Sequence, residues 1–389
     1  MNYTKWKMRF RQLKHHCLLP RRLLIIAVLF TLIILVALAY RKWNSRVWLY
    51  SCTDNVYGEK NIIDKLSNTE GIYMKETTDE RPLIQFITHP KAVEAALVDG
   101  VCQRNPDETK WNIVFLVKSA QKNSDRRDSI RSTWGSIKIF DDVIFQVVFI
   151  LGKSADNVEN MRLKMEASKY GDILLCDVED SSKFVPEKVL AGMQWSSNFL
   201  PENWIYASID DDIVINPSSF VDYFDQLIGK FTNTKGKVCF DDLPMACFYN
   251  YQSADPPSRN ENSKWYMSPE KFPGDFWPVY CRGGMYTTSS KMVKDLFEKS
   301  RRTAHLYLDD VWITGFMRRK LNKGDYNIVA PPMSVMAEEE TYKDHNIEDL
   351  LVKHLWGNVE NIEVHVPSKL RDVWTAFEPK IKDKILCTT

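Results

Sequence analysis

Three consecutive carboxylates, Asp210-Asp211-Asp212, follow the apolar run Trp204-Ile205-Tyr206-Ala207-Ser208-Ile209. Adjacent like charges repel, and each loses hydration when drawn into a fold. A divalent cation relieves both costs, and hard carboxylate oxygens suit Mg²⁺ or Mn²⁺. A solvated acidic turn is the plain alternative. Four more segments carry groups fit for chemistry beside a metal. Arg126, Arg127 and Arg131 offer guanidinium forks that could receive a diphosphate. Cys281-Arg282-Gly283-Gly284 sets paired glycines in a turn, where backbone can approach a ligand closely. Lys264-Trp265-Tyr266 offers a flat ring with polar neighbours, of the kind sugars stack on. Asp309-Asp310 opens the stretch 311–321, which reads as an amphipathic helix. Two acids at such a start serve equally well as caps and dipole partners.

Alternating strands and helices must position these groups. The runs 112–118, 143–151, 172–176 and 204–209 are short, apolar and rich in β-branched residues, so they read as buried strands. Helical spacing falls between them, over 125–134, 157–169 and 185–198. The middle helix interleaves Val158, Met161, Leu163 and Met165 with charge. Such alternation predicts an α/β domain with a largely parallel sheet, covered on both faces. The triplet then sits at the carboxyl end of a strand, where open α/β sheets bind ligands. Proline and aromatic residues gather between Pro244 and Tyr286 and suggest a loop-rich acceptor region.

The N-terminal residues 1–22 hold seven Lys/Arg and no acid, and eighteen uncharged residues follow from Leu23 to Tyr40. As a helix this run spans roughly 27 Å, enough for a thin bilayer. The charge bias predicts a cytosolic tail at 1–22, a signal-anchor at 23–40 and the bulk of the chain on the luminal side. A cleaved signal peptide would have a shorter apolar core. Residues 41–105 lack a sustained period and read as a stem or extension before a domain over 106–389. The luminal compartment is oxidising, and seven cysteines lie beyond the anchor (Cys52, Cys102, Cys176, Cys239, Cys247, Cys281 and Cys387). That odd count leaves at least one unpaired within the chain. A formal net charge of +1 argues against a nucleic-acid partner held by phosphate contacts.

Taken in order, the motifs resemble those of glycosyltransferase family 31, the β-1,3-galactosyl- and β-1,3-N-acetylglucosaminyltransferases. R-R-D-S-I-R-S-T-W-G (126–135) is similar to that family's R-R-x-x-I-R-x-T-W, and S-I-D-D-D-I-V-I-N (208–216) to its D-D-D-x-F-x-N. The stretch from Pro257 through K-W-Y-M-S to W-P-V-Y-C-R-G-G-M-Y resembles P-x-R…K-W-Y-V-S…Y-P-x-Y-C-x-G-x-G-Y. D-D-V-W-I-T-G (309–315) resembles the E-D-V segment. The resemblance covers about 110–358 and implies a GT-A fold, a UDP-sugar donor and a divalent cation, usually Mn²⁺. It implies metal ligation by Asp210 and Asp212, with Asp211 between them, and a general-base role for Asp310. It further implies donor contacts from Arg127, Arg131, Asp210, Asp211, Gly283 and Gly284. His345, which precedes Trp356 in a stretch resembling the family's H-Q-x-S-P-x-E-M…W, is implied as an imidazole ligand to the metal.

The chain also departs from the pattern. Phe184-Val185-Pro186 replaces N-L-T, although Lys188 stands where the family's lysine would. Leu200 replaces a cysteine, which leaves the partner of Cys281 open, and Asp309 replaces glutamate. The expectation is an inverting transferase of the Golgi membrane, type II. It would move galactose in β-1,3 linkage from UDP-galactose to a glycan on a glycoprotein or glycolipid. N-acetylglucosamine or N-acetylgalactosamine from a UDP-N-acetylhexosamine is the alternative within the class. Outside it stand an inactive glycan-binding or chaperone-like homologue and a metal-dependent phosphotransferase or nuclease. The last lacks a P-loop or kinase signature.

Overall fold

A computed structural model describes residues 76–90 and 111–388, apart from 235, 249–254, 324–326, 332–333, 336–349, 356–357, 360–361 and 364. Four parallel strands form its centre: β2 (Asn112–Lys118), β4 (Val143–Lys153), β5 (Ile173–Glu179) and β6 (Trp204–Asp210). In space they run β5-β4-β2-β6. The chain therefore moves outward from β2 to β5 and then returns to add β6 on the other side. The carboxyl ends of β2 and β6 flank the point where strand order reverses, the crevice in which open sheets of this kind receive ligands. Three antiparallel strands extend the sheet. β9 (Met285–Ser289) pairs with β6, β8 (Met245–Cys247) with β9, and β1 (Phe86–Thr88) with β5. β3 (Ile137–Phe140), β15 (Ile385–Thr388) and β10 (Ile328–Val329) complete ten strands.

The strands read as continuous apolar runs because both faces are covered. In β2, Ile113, Phe115 and Val117 enter one core while Val114 and Leu116 enter the other. The first core takes residues from α1 (Ser124–Arg131), α2 (Asn157–Tyr170), α4 (Pro217–Lys230) and α6 (Val366–Ile381). The second takes α3 (Val185–Phe199) and α5 (Ser290–Ser300), together with a wide-turned π-helix at Val311–Met317. A smaller sheet stands beside them: β7 (Ile213–Ile215), β12 (Val352–His354) and β11 (Ser334–Val335). A hairpin, β13 (Asn358–Val359) with β14 (Ile362–Glu363), follows.

Three sequence expectations change. Residues 76–90 fall in the predicted stem, yet β1 adds to the sheet edge, and Ile84 exchanges two hydrogen bonds with the Gln194 side chain. In α2 only Leu163 and Ala167 reach the core, while Val158, Met161 and Met165 are 56%, 65% and 70% exposed. Leu163 lies two positions from both methionines, and one helix cannot turn both sets inward. The helix after Asp310 is not amphipathic, because every residue from Val311 to Met317 is buried. The predicted anchor at 23–40 lies outside the described residues. Among the described residues no helix is long and apolar enough to cross a membrane.

Gly152 sits where the β4–β5 register shifts. A Cβ there would stand 2.6 Å from the Val178 carbonyl oxygen and 2.8 Å from the Asp180 nitrogen, backbone atoms that cannot rotate away. Gly229 in α4 has nothing within 4 Å of that position. Gly152→Ala is therefore expected to cost about 1–3 kcal/mol, and Gly229→Ala to gain up to about 1 kcal/mol. Thermal melting of the two variants checks the contrast; equal shifts would contradict it.

Candidate active site

The aspartate triplet divides its work at the end of β6. Asp211 is buried, and its carboxylate is fully engaged by protein. It accepts hydrogen bonds from Ser119 Oγ (2.7 Å), Asn123 Nδ2 (2.9 Å) and Arg126 (2.9 Å). These donors come from the β2–α1 loop and the first turn of α1, so Asp211 ties the end of β6 to the segment that follows β2. Its neighbours make other contacts. Asp212 Oδ1 lies 3.0 Å from His354 Nε2, and Asp212 Oδ2 lies 3.6 Å from Arg126. Burial opposes the charge on Asp212, but His354 and then Arg126 outweigh it and hold this carboxyl below its usual range. Asp210 keeps about a third of its side chain in solvent (35%). Its proton affinity is pushed upward, first by withdrawal from bulk water and then, against Lys118, by Asp212.

His354 reaches this place through backbone pairing. β12 runs antiparallel to β7, with His354 opposite Ile213, and the Leu355 amide donates to the Asp212 carbonyl at 2.8 Å. The two carboxylates and the imidazole bring one ligand atom each within 4.8 Å of one another. Two hard oxygens with one imidazole form a donor set suited to Mn²⁺ or a similar divalent cation. The donor chemistry therefore fits the metal that the sequence implied. His345, the imidazole expected from the sequence, lies outside the described residues, and His354 was not anticipated.

A second acidic pair shares the Lys118 ammonium with Asp210. Asp309 and Asp310 precede the π-helix, and Asp310 Oδ1 caps it by accepting from the Val311 amide at 2.8 Å. Local π geometry is often found at functional sites. Burial and then Asp309 push the Asp310 carboxyl up to about 7. Two contacts fasten its helix to the Val279–Cys281 segment that leads into the glycine turn, and a third closes the helix start. Thr314 Oγ1 donates to the Asp310 carbonyl at 2.5 Å and accepts from the Cys281 amide at 2.8 Å. Buried Arg318 donates to the Val279 carbonyl at 3.1 Å. Cys281 is disulfide-bonded to Cys247 of β8, which answers the pairing that the sequence left open. Cys176 is a buried free thiol, consistent with the odd cysteine count.

Gly284 accepts from the Asp210 amide at 3.0 Å, and a Cβ on Gly283 would stand 3.4 Å from Asp310 Oδ2. Gly283 thus lies directly against the candidate base. Lys118, the last residue of β2, closes the circle. Its ammonium lies 2.9 Å from Asp210 Oδ1, donates to the Gly283 carbonyl at 2.7 Å and sits 3.8 Å from Asp309 Oδ2. Burial disfavours this charge, but Asp210, Asp309 and Asp310 outweigh it and hold the ammonium above the usual lysine range.

Two arginines read as diphosphate ligands are committed elsewhere. Arg127 is buried and bonded to both Glu166 oxygens, while Arg131 is clamped by Asp172 and Glu166. Their forks brace α1 against α2 and β5. Arg126 is the arginine of this group that meets the acidic cluster. Trp134, three residues beyond the end of α1, donates to the Ile213 carbonyl at 3.1 Å and so steadies β7. The Lys264-Trp265-Tyr266 loop is organised by Arg259, which donates to the carbonyls of Met267, Phe272 and Gly274. Trp265 is 53% exposed, with the Lys264 ammonium 4.2 Å from its ring centre.

Residues 125–324 match the family model described as Galactosyltransferase, just over half of the 389-residue chain. The chain belongs to the galactosyltransferase family. Among this galactosyltransferase-family chain's curated relatives is Beta-1,3-galactosyltransferase 1 of Mus musculus and Homo sapiens, 32% identical over 219 residues. That match covers 56% of this chain and 63% of the relative's length. Beta-1,3-galactosyltransferase brn of Drosophila melanogaster is 29% identical over 208 residues, covering 54% of this chain and 60% of its own length. Solved structures align loosely. The WbbM bifunctional glycosyltransferase gives a TM-score of 0.36 at 10% identity, covering 73% of this chain and 53% of its own. Mouse xyloside xylosyltransferase 1 gives 0.31 at 11% identity, covering 65% and 99%.

The raised proton affinity of Asp310 has a consequence for stability. Its folded carboxyl titrates above an unfolded aspartate, so its contribution is fully present below about pH 4 and is lost as pH rises through about 7. Asp310→Asn is accordingly expected to raise Tm at pH 8 by a few degrees, roughly 2–6 °C. The gain should shrink as pH falls toward 4. A melting series across that range checks the sign, and a loss of Tm at pH 8 would contradict it.

Proposed function

We propose that this member of the galactosyltransferase family is an inverting, UDP-sugar-dependent hexosyltransferase with a GT-A fold. It adds a β-1,3-linked galactose to a glycan on protein or lipid, and it works in the Golgi lumen behind a type II anchor. One observation carries the reading. A two-carboxylate, one-imidazole donor set and a separate carboxylate of raised proton affinity meet at one sheet end, joined through Lys118 and Gly283. A phosphotransferase reading finds no P-loop or kinase signature in the chain. The relatives are β-1,3-galactosyltransferases, which favours galactose over an N-acetylhexosamine.

Asp210, Asp212 and His354 would hold the divalent cation, which neutralises negative charge on a bound diphosphate. Arg126, already beside Asp211 and Asp212, is the guanidinium best placed to assist that neutralisation. Asp310 receives the proton of the acceptor hydroxyl. The freed oxygen attacks the anomeric carbon as the bond from that carbon to the β-phosphate oxygen breaks, and UDP leaves with the electron pair. A single displacement of this kind inverts the anomeric centre and forms no covalent enzyme intermediate. Asp309 supports the base by raising its affinity for the proton.

Assays with a panel of UDP-sugars, Mn²⁺ and glycan acceptors test this reading. The wild type should transfer galactose, with kcat/KM falling as pH drops below about 7, where Asp310 becomes protonated. Asp310→Asn should cut turnover by about 10²–10⁴-fold while UDP binding survives. Asp212→Asn should instead weaken Mn²⁺-dependent UDP binding. Near-full transfer by Asp310→Asn would overturn the base assignment, and no transfer from any donor would favour a binding role.

A further inference from the structure

We propose that Lys118 is a positioning residue that acts as a resident cation, shared by the metal-binding and acceptor sides of the cleft, and that its charge weakens binding of the divalent cation until a diphosphate arrives. The inference rests on the metal-dependent reading above. Lys118 is the final residue of β2, and its side chain is only 8% exposed. A lysine ammonium has three donors and no acceptor. Two donors are spent on short contacts, to Asp210 Oδ1 at 2.9 Å and to the Gly283 carbonyl at 2.7 Å, and Asp309 Oδ2 stands 3.8 Å away. The same ammonium therefore fixes a metal ligand, the turn that faces Asp310 and the acid beside Asp310.

The charge balance explains the need for it. Asp210, Asp211, Asp212, Asp309 and Asp310 lie close together, and in the ion pairs described there the Lys and Arg partners are Lys118 and Arg126, with His354 beside Asp212. Arg126 serves Asp211 and Asp212, so Lys118 alone bridges Asp210 to the Asp309 side. Asp210 consequently offers the metal a carboxylate whose charge is already matched. A divalent cation bound there lies a few ångströms from a positive charge, which is repulsive at any effective dielectric of a protein. The diphosphate of a nucleotide sugar brings the missing negative charge. Metal and donor should therefore bind this site together, with weak metal binding before the donor is present.

Manganese titrations followed by electron paramagnetic resonance, with and without UDP, test the proposal on the purified protein. Lys118→Met keeps the length of the side chain and removes the charge. Without UDP, Mn²⁺ affinity should rise about tenfold or more, while transfer falls at least about tenfold because Gly283 and Asp309 lose their tether. A residue that only fills space would leave metal affinity unchanged or lower it, and either result overturns the proposal. Lys118→Met with Asp309→Asn removes one charge of each sign and guards against misfolding. It should show a smaller gain in Mn²⁺ affinity, because the lost Asp309 charge offsets part of the lost ammonium. If the wild type binds no Mn²⁺ even with UDP, the metal-dependent reading fails with the proposal. If the wild type binds Mn²⁺ and the variants do not differ from it, only the proposal fails.

Discussion

Five carboxylates meet at one end of a mostly buried sheet, and their mutual repulsion is the constraint around which the site is built. Three devices answer it. Asp211 is satisfied by hydrogen bonds from Ser119, Asn123 and Arg126. Asp212 is matched by His354 and Arg126, and Asp210 by Lys118. Asp310 has no cation of its own at contact distance among the described ion pairs, and its proton affinity rises. Charge left uncompensated at one position becomes basicity available at that position.

The scaffold supplies the convergence. Parallel strands of order β5-β4-β2-β6 bring Lys118 and Asp210 side by side in register at the switch point. The small sheet delivers His354 through its pairing with β7. The π-helix carries Asp310 and is bolted by Thr314 and Arg318 to the segment that leads into the glycine turn, which the Cys247–Cys281 disulfide also holds. The aspartate triplet, His354 and the Asp309–Asp310 pair thus ride on three different elements, and each of those elements is anchored in one of the two cores. Rigid support of this kind is what a site needs if its groups are to hold their geometry without reorganising.

Much of this was legible in the residues. The strand at 112–118 and the helices near 157–169 and 185–198 follow from local apolar patterning, and the structure places them within a few residues of those bounds. The triplet and Asp310 were visible because acids next to apolar runs are conspicuous. His354 was not visible, since only the pairing of β12 with β7 brings it across 142 residues to Asp212. Lys118 read as the polar end of a strand, and nothing local announces that three acids surround it. Arg127 and Arg131 carried the right chemistry for phosphate, but Glu166 and Asp172 come from sequence-distant elements and claim them first. The exposed methionines of α2 misled for a related reason: periodicity shows that a face exists, not which face meets the core.

On the proposed reading, Asp212 and His354 hold the metal while Asp310, a separate group of the same site, is the base. Anomalous diffraction at the manganese edge, from crystals grown with Mn²⁺ and UDP, tests it most directly. The account predicts one peak within bonding distance of Asp212 and His354, on the Asp210 side of Lys118, with the Asp310 carboxylate outside the coordination sphere. A peak bonded to Asp309 or Asp310, or bound UDP with no metal near Asp212, would contradict it.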